Sequence, residues 1–225
     1  MIRTIRASAL TLAALALAVA AASAEPVPYK IDKSHSDVGF KVRHFFSKTP
    51  GRFSDFAGTI MLDEKNPAAS SVDVTIQTAS IQTNNERRDN HLRGDDFFNA
   101  EKFPTITFKS TKITPVEGNK FKVDGDLTIR DVTKPVTLDA ELVGMGSLGE
   151  QAGSRAGFQA TTSVNRKDYG VLWNKTLDNG STMLDDIVYI NLDVEAIKVD
   201  PKKEAAKKEI AKDESKKDEK TADKK

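Results

Sequence analysis

An all-β fold, an extended antiparallel β-barrel of about eight strands, is what this sequence predicts. Three observations carry the prediction. Apolar and polar residues alternate with period 2 through most of residues 29–197. Only one segment, near 85–103, carries helical chemistry. Most strands are joined to the next by short connections, the mark of an antiparallel meander. Such a meander packs as a sandwich or closes into a barrel, and closure is favoured because it removes exposed strand edges.

The elements follow in order. Val38, Phe40 and Val42 share one face, with His44 next in phase and Gly39, Lys41 and Arg43 on the other. Ser47–Asp55 contains Pro50-Gly51, read as a turn, followed by Phe53 and Phe56. Gly58, Ile60 and Leu62 resume the alternation until Asn66-Pro67, and Val72, Val74 and Ile76 form the next face. Asn85 is positioned to cap a short helix running through Leu92 and closed by Gly94, with Asp95 capping a further turn. Ile106 and Phe108 open another strand, and Glu117-Gly118-Asn119 turns it. Phe121, Val123, Leu127 and Ile129 share a face with Gly125 at its centre, which predicts a bend or the close approach of a ligand or a strand. Arg130–Pro135 turns the chain, and Val136, Leu138, Ala140 and Leu142 alternate again. Gly144–Ser154 reads as a flexible glycine-rich loop. Phe158–Val164 is a strand, Asn165–Gly180 a second long polar loop holding the sole Trp, Trp173, and Val188–Val194 the last strand.

The two ends differ from the body. Residues 1–24 have a basic start at Arg3 and Arg6, an alanine-rich apolar stretch and Ala22-Ser23-Ala24, the pattern of a secretory signal peptide. The expectation is a periplasmic protein with a single barrel domain over 25–199. Residues 200–225 are rich in Lys and Glu and hold one large apolar side chain, Ile210. They read as a disordered tail able to make weak contact with anionic surfaces. The chain has no cysteine, so its core carries stability without disulfides. Residues 25–200 hold 22 Lys and Arg against 26 Asp and Glu, which argues against nucleic acid as the partner.

Catalytic chemistry finds little support in the sequence. His35, His44 and His91 stand at no metal-ligand spacing, there is no Gly-x-Ser-x-Gly elbow, and no metal or catalytic residue is expected. The apolar faces are more informative. Val38, Phe40, Val42, Phe53, Phe56, Ile60, Val74, Ile106, Phe108, Phe121, Val123 and Leu127 suit either a filled core or the lining of a ligand tunnel, and pattern alone does not choose. The segment Arg87–Ser110 breaks the alternation with a dense run of charge. Arg87, Arg88, His91 and Arg93 form its cationic cluster, which either faces a ligand or pairs with Asp89, Asp95 and Asp96. His35, His44, Asn165, Arg166 and Trp173 complete the candidates for a polar mouth.

The runs YKIDKSHSDVGFKVRHFFSKTPGRFSDFAGTI, RRDNHLRGDDFFNAEKFPTITFKS, GDLTIRDVTKPVTL and SVNRKDYGVLWN, in that order, closely resemble the YceI-like family of exported, lipocalin-like proteins. The resemblance covers Tyr29 to about Ile197 and leaves the tail unexplained. It implies a barrel holding an amphiphile: a polyprenyl chain, a prenyl diphosphate or an isoprenoid quinone. It implies no required cofactor beyond such a lipid, and a homodimer in some members. Two other readings remain open: a stress-related interaction protein using the barrel as a scaffold, and an enzyme acting on a lipid head group.

Overall fold

Among the described residues, eleven strand segments form one antiparallel sheet. They are β1 (Val27–Ile31), β2 (Asp37–His44), β3 (Ser47–Phe53), β4 (Phe56–Leu62), β5 (Ser71–Gln77), β6 (Ile81–Gln82), β7 (Thr105–Pro115), β8 (Lys120–Ile129), β9 (Val132–Ser147), β10 (Ser154–Asn165) and β11 (Leu184–Lys198). Helix α1 (Glu86–Arg93) stands between β6 and β7. The computed structural model describes residues 25–200 except 148, 150–152 and 179. The proposed signal segment and the Lys-rich tail lie outside the described residues.

The sheet closes because β11 is long enough to pair with two segments in succession. Its far end meets β1 (Tyr29 opposite Lys198), and its middle meets β2 (Val38 opposite Leu192). β1 and β2 are therefore one strand, interrupted by a 3-10 turn at Lys33–His35. Asp32 caps that turn, its carboxylate accepting from the Ser34 N–H at 3.0 Å. β3 and β4 form a second strand broken at Ser54-Asp55, and β5 and β6 a third broken at Thr78–Ser80. The three breaks lie side by side and are sewn together. The Gln77 N–H donates to the Asp55 carbonyl at 2.8 Å, the Ser54 N–H to the Ser80 carbonyl at 3.2 Å, and Lys33 pairs with Asp55 at 2.9 Å. Counted this way, the barrel has eight strands, as the alternation predicts.

Several connections are tighter than the sequence suggests. Pro50-Gly51 is not a turn: Pro50 sits opposite Lys41 and Gly51 opposite Phe40 within the β2–β3 ladder. β6 pairs with β3 only at Arg52 and Phe53, so the other side of Pro50 is an edge, where a missing N–H breaks no ladder. The turn is Phe45-Phe46, with Phe45 in the left-handed region at φ 52. The β8–β9 turn is only Arg130-Asp131, both at positive φ (52 and 60), and Val132–Pro135 already belongs to β9. Both ends of the Gly144–Ser154 stretch are strand as well, because Gly144–Ser147 pair with Ser154–Gly157.

Of the bend, ligand or strand approach that Gly125 predicts, the structure has the strand approach. A Cβ built there would lie 2.5 Å from Phe108 Cζ and 2.7 Å from the Lys109 carbonyl oxygen. β7 carries a bulge between Ser110 and Lys112 directly opposite. Gly51 plays the same part on the other side of the barrel, with its missing Cβ 2.3 Å from Phe40 Cζ. In each case an inward phenylalanine lays its ring across a glycine on the next strand.

Candidate ligand-binding site

All eight barrel strands turn apolar side chains onto a central cavity of about 710 Å³, within the 300–1,000 Å³ usual for ligand pockets. Period-2 alternation puts Phe121 and Val123, Val136 and Leu138, Val164, Ile190 and Leu192 on the inner wall. Of these only Val123 is buried. The others stay half-exposed although their strands are paired on both sides, because their free surface faces the cavity. An eight-stranded barrel is wide enough either to be filled or to hold one ligand, and this one is unfilled.

The two ends of the cavity differ. One is sealed by Tyr29, Ile60, Ala156 and Ala196, packed with Val27, Leu142 and Val194. The other is roofed by Phe97, Val171 and Leu184 with Leu92, Phe98 and Trp173. This roof belongs to α1, the coil after it and the 171–173 segment. The charged side chains of the wall, Arg87, Arg88, His91 and Arg166, are all at this end, together with His44. Arg87 and His91 are both solvent-exposed and on the wall, so the mouth lies here.

The local sequence explains how the mouth is held. The Asn85 side chain accepts from the Arg88 N–H at 2.9 Å and starts α1, and the Gly94 N–H donates to the His91 carbonyl at its end. Gly94 is extended (φ −75), so it ends the helix without the left-handed conformation. The turn that follows is organised by Asn99 in place of Asp95. Its carbonyl accepts from the Phe103 N–H at 2.8 Å, and its side chain accepts from the Lys102 N–H at 3.4 Å.

The arginines of α1 are not braced by the neighbouring acids. Arg88 donates to the Thr83 hydroxyl and carbonyl, both at 2.7 Å, while buried Asp89 accepts from the Thr83 N–H at 2.8 Å and from its hydroxyl. Arg93 points away from the cavity and donates to the Ala79 carbonyl at 2.7 Å, the Ile81 carbonyl at 3.0 Å and the Asn90 side chain at 2.8 Å. His91 pairs with Asp96 at 2.8 Å, and its ring meets Trp173 edge-on at 5.2 Å. Arg87 has no ion pair or hydrogen bond among the described residues.

The second polar loop is pinned by one buried cation. Arg166, 6% exposed, donates to the carbonyls of Val171 (2.7 Å), Trp173 (2.8 Å) and Asp185 (2.9 Å) and pairs with Asp186 at 3.1 Å. Burial lowers its pKa, and Asp186 opposes that shift. Tyr169, on the wall beside it, is 2% exposed, and burial, with help from Asp168, pushes its phenol up to about 12.

All twelve apolar residues singled out in the sequence stand on the cavity wall. Of the eight polar candidates, His44, Arg88, His91, Arg166 and Trp173 stand there too. His35, Arg93 and Asn165 do not. Asn165 caps a 3-10 turn by accepting from the Lys167 N–H at 3.0 Å. His35 lies in the break between β1 and β2, where it pairs with Asp32 at 2.9 Å. The His35 hydrogen bond is the largest cause of the lowered Asp32 pKa. Asp32, His35 and Glu195 cluster closely enough to suggest metal ligands, but Arg155 already pairs with both carboxylates. Sequence reasoning passed over Tyr169 and Val171. Their signal was the apolar pair flanking Gly170, whose φ of 74 closes the turn after Arg166.

A closed antiparallel barrel around one deep apolar cavity, charged only at its mouth, defines a single-chamber binding barrel. The chain belongs to the YceI-like family: the model of the YceI-like domain matches residues 29–196. It is 47% identical to Protein YceI of Escherichia coli O157:H7 over 152 residues, covering 66% of this chain and 78% of that protein. Among solved structures it is similar to the Campylobacter jejuni YceI protein (36% identity, TM-score 0.59, 75% of this chain and 96% of that one). It also shares its fold with a polyisoprenoid binding domain from Saccharophagus degradans (14% identity, TM-score 0.57, 77% and 99%).

Proposed function

We propose that this protein binds a long-chain isoprenoid lipid in its barrel cavity and carries or sequesters it after export to the periplasm. The observation that carries the reading is the cavity itself, about 710 Å³ of apolar space sealed at one end and charged at the other. A polyprenyl chain, a prenyl diphosphate or an isoprenoid quinone has the matching polarity, a long apolar chain with one polar head. The Saccharophagus domain of the same fold, described as polyisoprenoid binding, supports the choice of ligand class.

The energetics agree. Each buried methylene contributes about 0.8 kcal/mol. Some fifteen of them give roughly 12 kcal/mol, enough to offset an association cost of about 4–15 kcal/mol. Polar groups are then needed only for orientation. Arg87, unpaired at the mouth, is suited to a diphosphate or a quinone carbonyl, and His44 is the second polar group free to turn toward a head. The other polar groups there are occupied: Arg88 by Thr83, Arg166 by loop carbonyls, His91 by Asp96. This division of labour supports binding rather than turnover.

Organic extraction of the purified protein followed by mass spectrometry tests the reading. A long-chain isoprenoid in near-stoichiometric amount is expected; repeated extraction without one would refute it. Phe108→Asp puts a carboxylate on the wall where Phe108 is 8% exposed, and loss of the lipid is expected. Full retention would remove Phe108 from the ligand's path.

A further inference from the structure

The β2–β3 hairpin tip contradicts ordinary turn chemistry. A two-residue hairpin turn favours Gly, Asn or Asp, because at least one of its residues takes positive φ. Here the turn is Phe45-Phe46, and Phe45 holds φ 52. Phe46 is 99% exposed and Phe45 37%, their ring centroids 6.5 Å apart. Neither ring is used by the core. A strained aromatic pair facing water is disfavoured both by its backbone and by its solvation.

Its surroundings give it a purpose. The tip is at the cavity mouth: His44, the residue before it, lines the cavity, and the Phe45 N–H donates to the Met183 carbonyl at 2.8 Å. Leu172, 63% exposed, lies on the adjoining rim, where its neighbours Val171 and Trp173 pack with Leu184 and Val42. The hairpin from Lys41 to Arg52 holds four cations and no acid, within a body that is net acidic; Arg43 pairs with Asp185 at 3.1 Å and Arg52 with Asp37 at 3.9 Å, so among the described residues Lys41 and Lys48 carry its uncompensated charge. Arg43 braces the turn by donating to the Phe45 carbonyl at 2.9 Å, and Lys48 lies over the Tyr189 ring at 4.4 Å. Exposed aromatic rings beside two lysines without acidic partners match a surface that is anionic outside and apolar just beneath.

We propose that this hairpin tip docks the cavity mouth onto an anionic phospholipid bilayer, with Phe45 and Phe46 entering the headgroup–acyl boundary. A lipid then passes between bilayer and cavity without its chain crossing water. The proposal rests on the lipid-binding reading for its purpose, but its test does not depend on that reading.

The experiment is flotation of the purified full chain with vesicles of phosphatidylglycerol and phosphatidylethanolamine, and with vesicles of phosphatidylcholine alone. The wild type is expected to float with the anionic vesicles, and to do so less as salt rises. Phe45→Gly with Phe46→Ser should reduce flotation tenfold or more, and Lys41→Gln with Lys48→Gln should reduce it severalfold. The glycine relieves the positive φ at position 45, so the first variant should unfold at the same temperature as the wild type or a higher one. Equal flotation of that variant and the wild type overturns the proposal, as does a wild type that ignores anionic vesicles. A wild-type dimer that the Phe variant converts to monomer, without vesicle binding, also overturns it by assigning the tip to a second copy. Vesicle binding with no extractable isoprenoid would leave the docking intact and remove the ligand assignment instead.

Discussion

Gly51→Ala and Gly125→Ala make a matched pair, because both put a methyl group against an inward phenylalanine with different room for escape. At Gly51 the new Cβ lies 2.3 Å from Phe40 Cζ and 2.8 Å from each Cε, and these ring atoms are its three nearest neighbours. At Gly125 it meets Phe108 at 2.5 and 2.6 Å and also the Lys109 carbonyl oxygen at 2.7 Å. Carbon atoms settle about 3.5–4.0 Å apart, so each ring edge must move by roughly 1–1.5 Å. Phe40 borders empty space and can swing into the cavity. Overpacking costs about 1–3 kcal/mol, and replacing glycine recovers about 0.4–1 kcal/mol through the unfolded chain. The net for Gly51→Ala is then roughly 0–2.6 kcal/mol. The Lys109 carbonyl is fixed in the β7–β8 ladder beside its bulge, so Gly125→Ala should cost at least about 3 kcal/mol. Urea unfolding with a constant m-value measures both. In a Phe40→Leu background, Gly51→Ala should become nearly neutral. If the two alanine variants are equally costly, or if Phe40→Leu gives no relief, the ring-over-glycine account is wrong.

Three further outcomes are expected. Asp89→Ala leaves the buried Thr83 N–H without its acceptor and should cost about 1–3 kcal/mol, with faster amide exchange confined to residues 81–93. Tyr169 should titrate late: its phenol is pushed to about 12, above the unfolded value near 10, so the stabilisation it gives is full below pH 10 and is lost as pH rises through 12. The gap corresponds to roughly 2–3 kcal/mol. An absorbance titration at high pH should lose its latest-titrating component in Tyr169→Phe; an unaltered curve would refute the assignment. Arg87→Ala should weaken retention of a diphosphate-headed prenyl lipid roughly fivefold while leaving an uncharged prenyl chain unaffected, as expected for one exposed charge-assisted contact of about 1 kcal/mol. Competition between the two lipids reads the difference.

The wall of the cavity was legible in the sequence because period 2 is a local property. Once Phe40 faces inward, so do Val38 and Val42, wherever the strand goes. The helix was legible for the same reason, since Asn85 announces its own cap. The unfilled interior was not legible, because the same alternation serves a packed core and an empty one. The turns were misread where composition and register disagree. Pro50-Gly51 has turn chemistry yet sits on a strand edge, while Phe45-Phe46 lacks turn chemistry yet makes the turn. The roles of the arginines depended on long-range partners: Arg93 reaches Ala79 and Arg130 reaches Gly170, contacts that no spacing rule contains. His35 entered the candidate mouth by residue type alone, and its place in the β1–β2 break shows how little type decides without position.

The single tryptophan has a use beyond packing. Trp173 lies at the mouth with its ring 5.1 Å from Phe97 and 5.2 Å from His91, and the chain contains no other indole. All the tryptophan emission of the molecule therefore comes from the gate. A molecule entering the chamber changes the polarity around that indole. Filling and emptying of the barrel can thus be followed optically on the unlabelled protein. The chain also has no cysteine, so one introduced thiol on α1 would carry an acceptor dye to a unique place and turn the same signal into a distance.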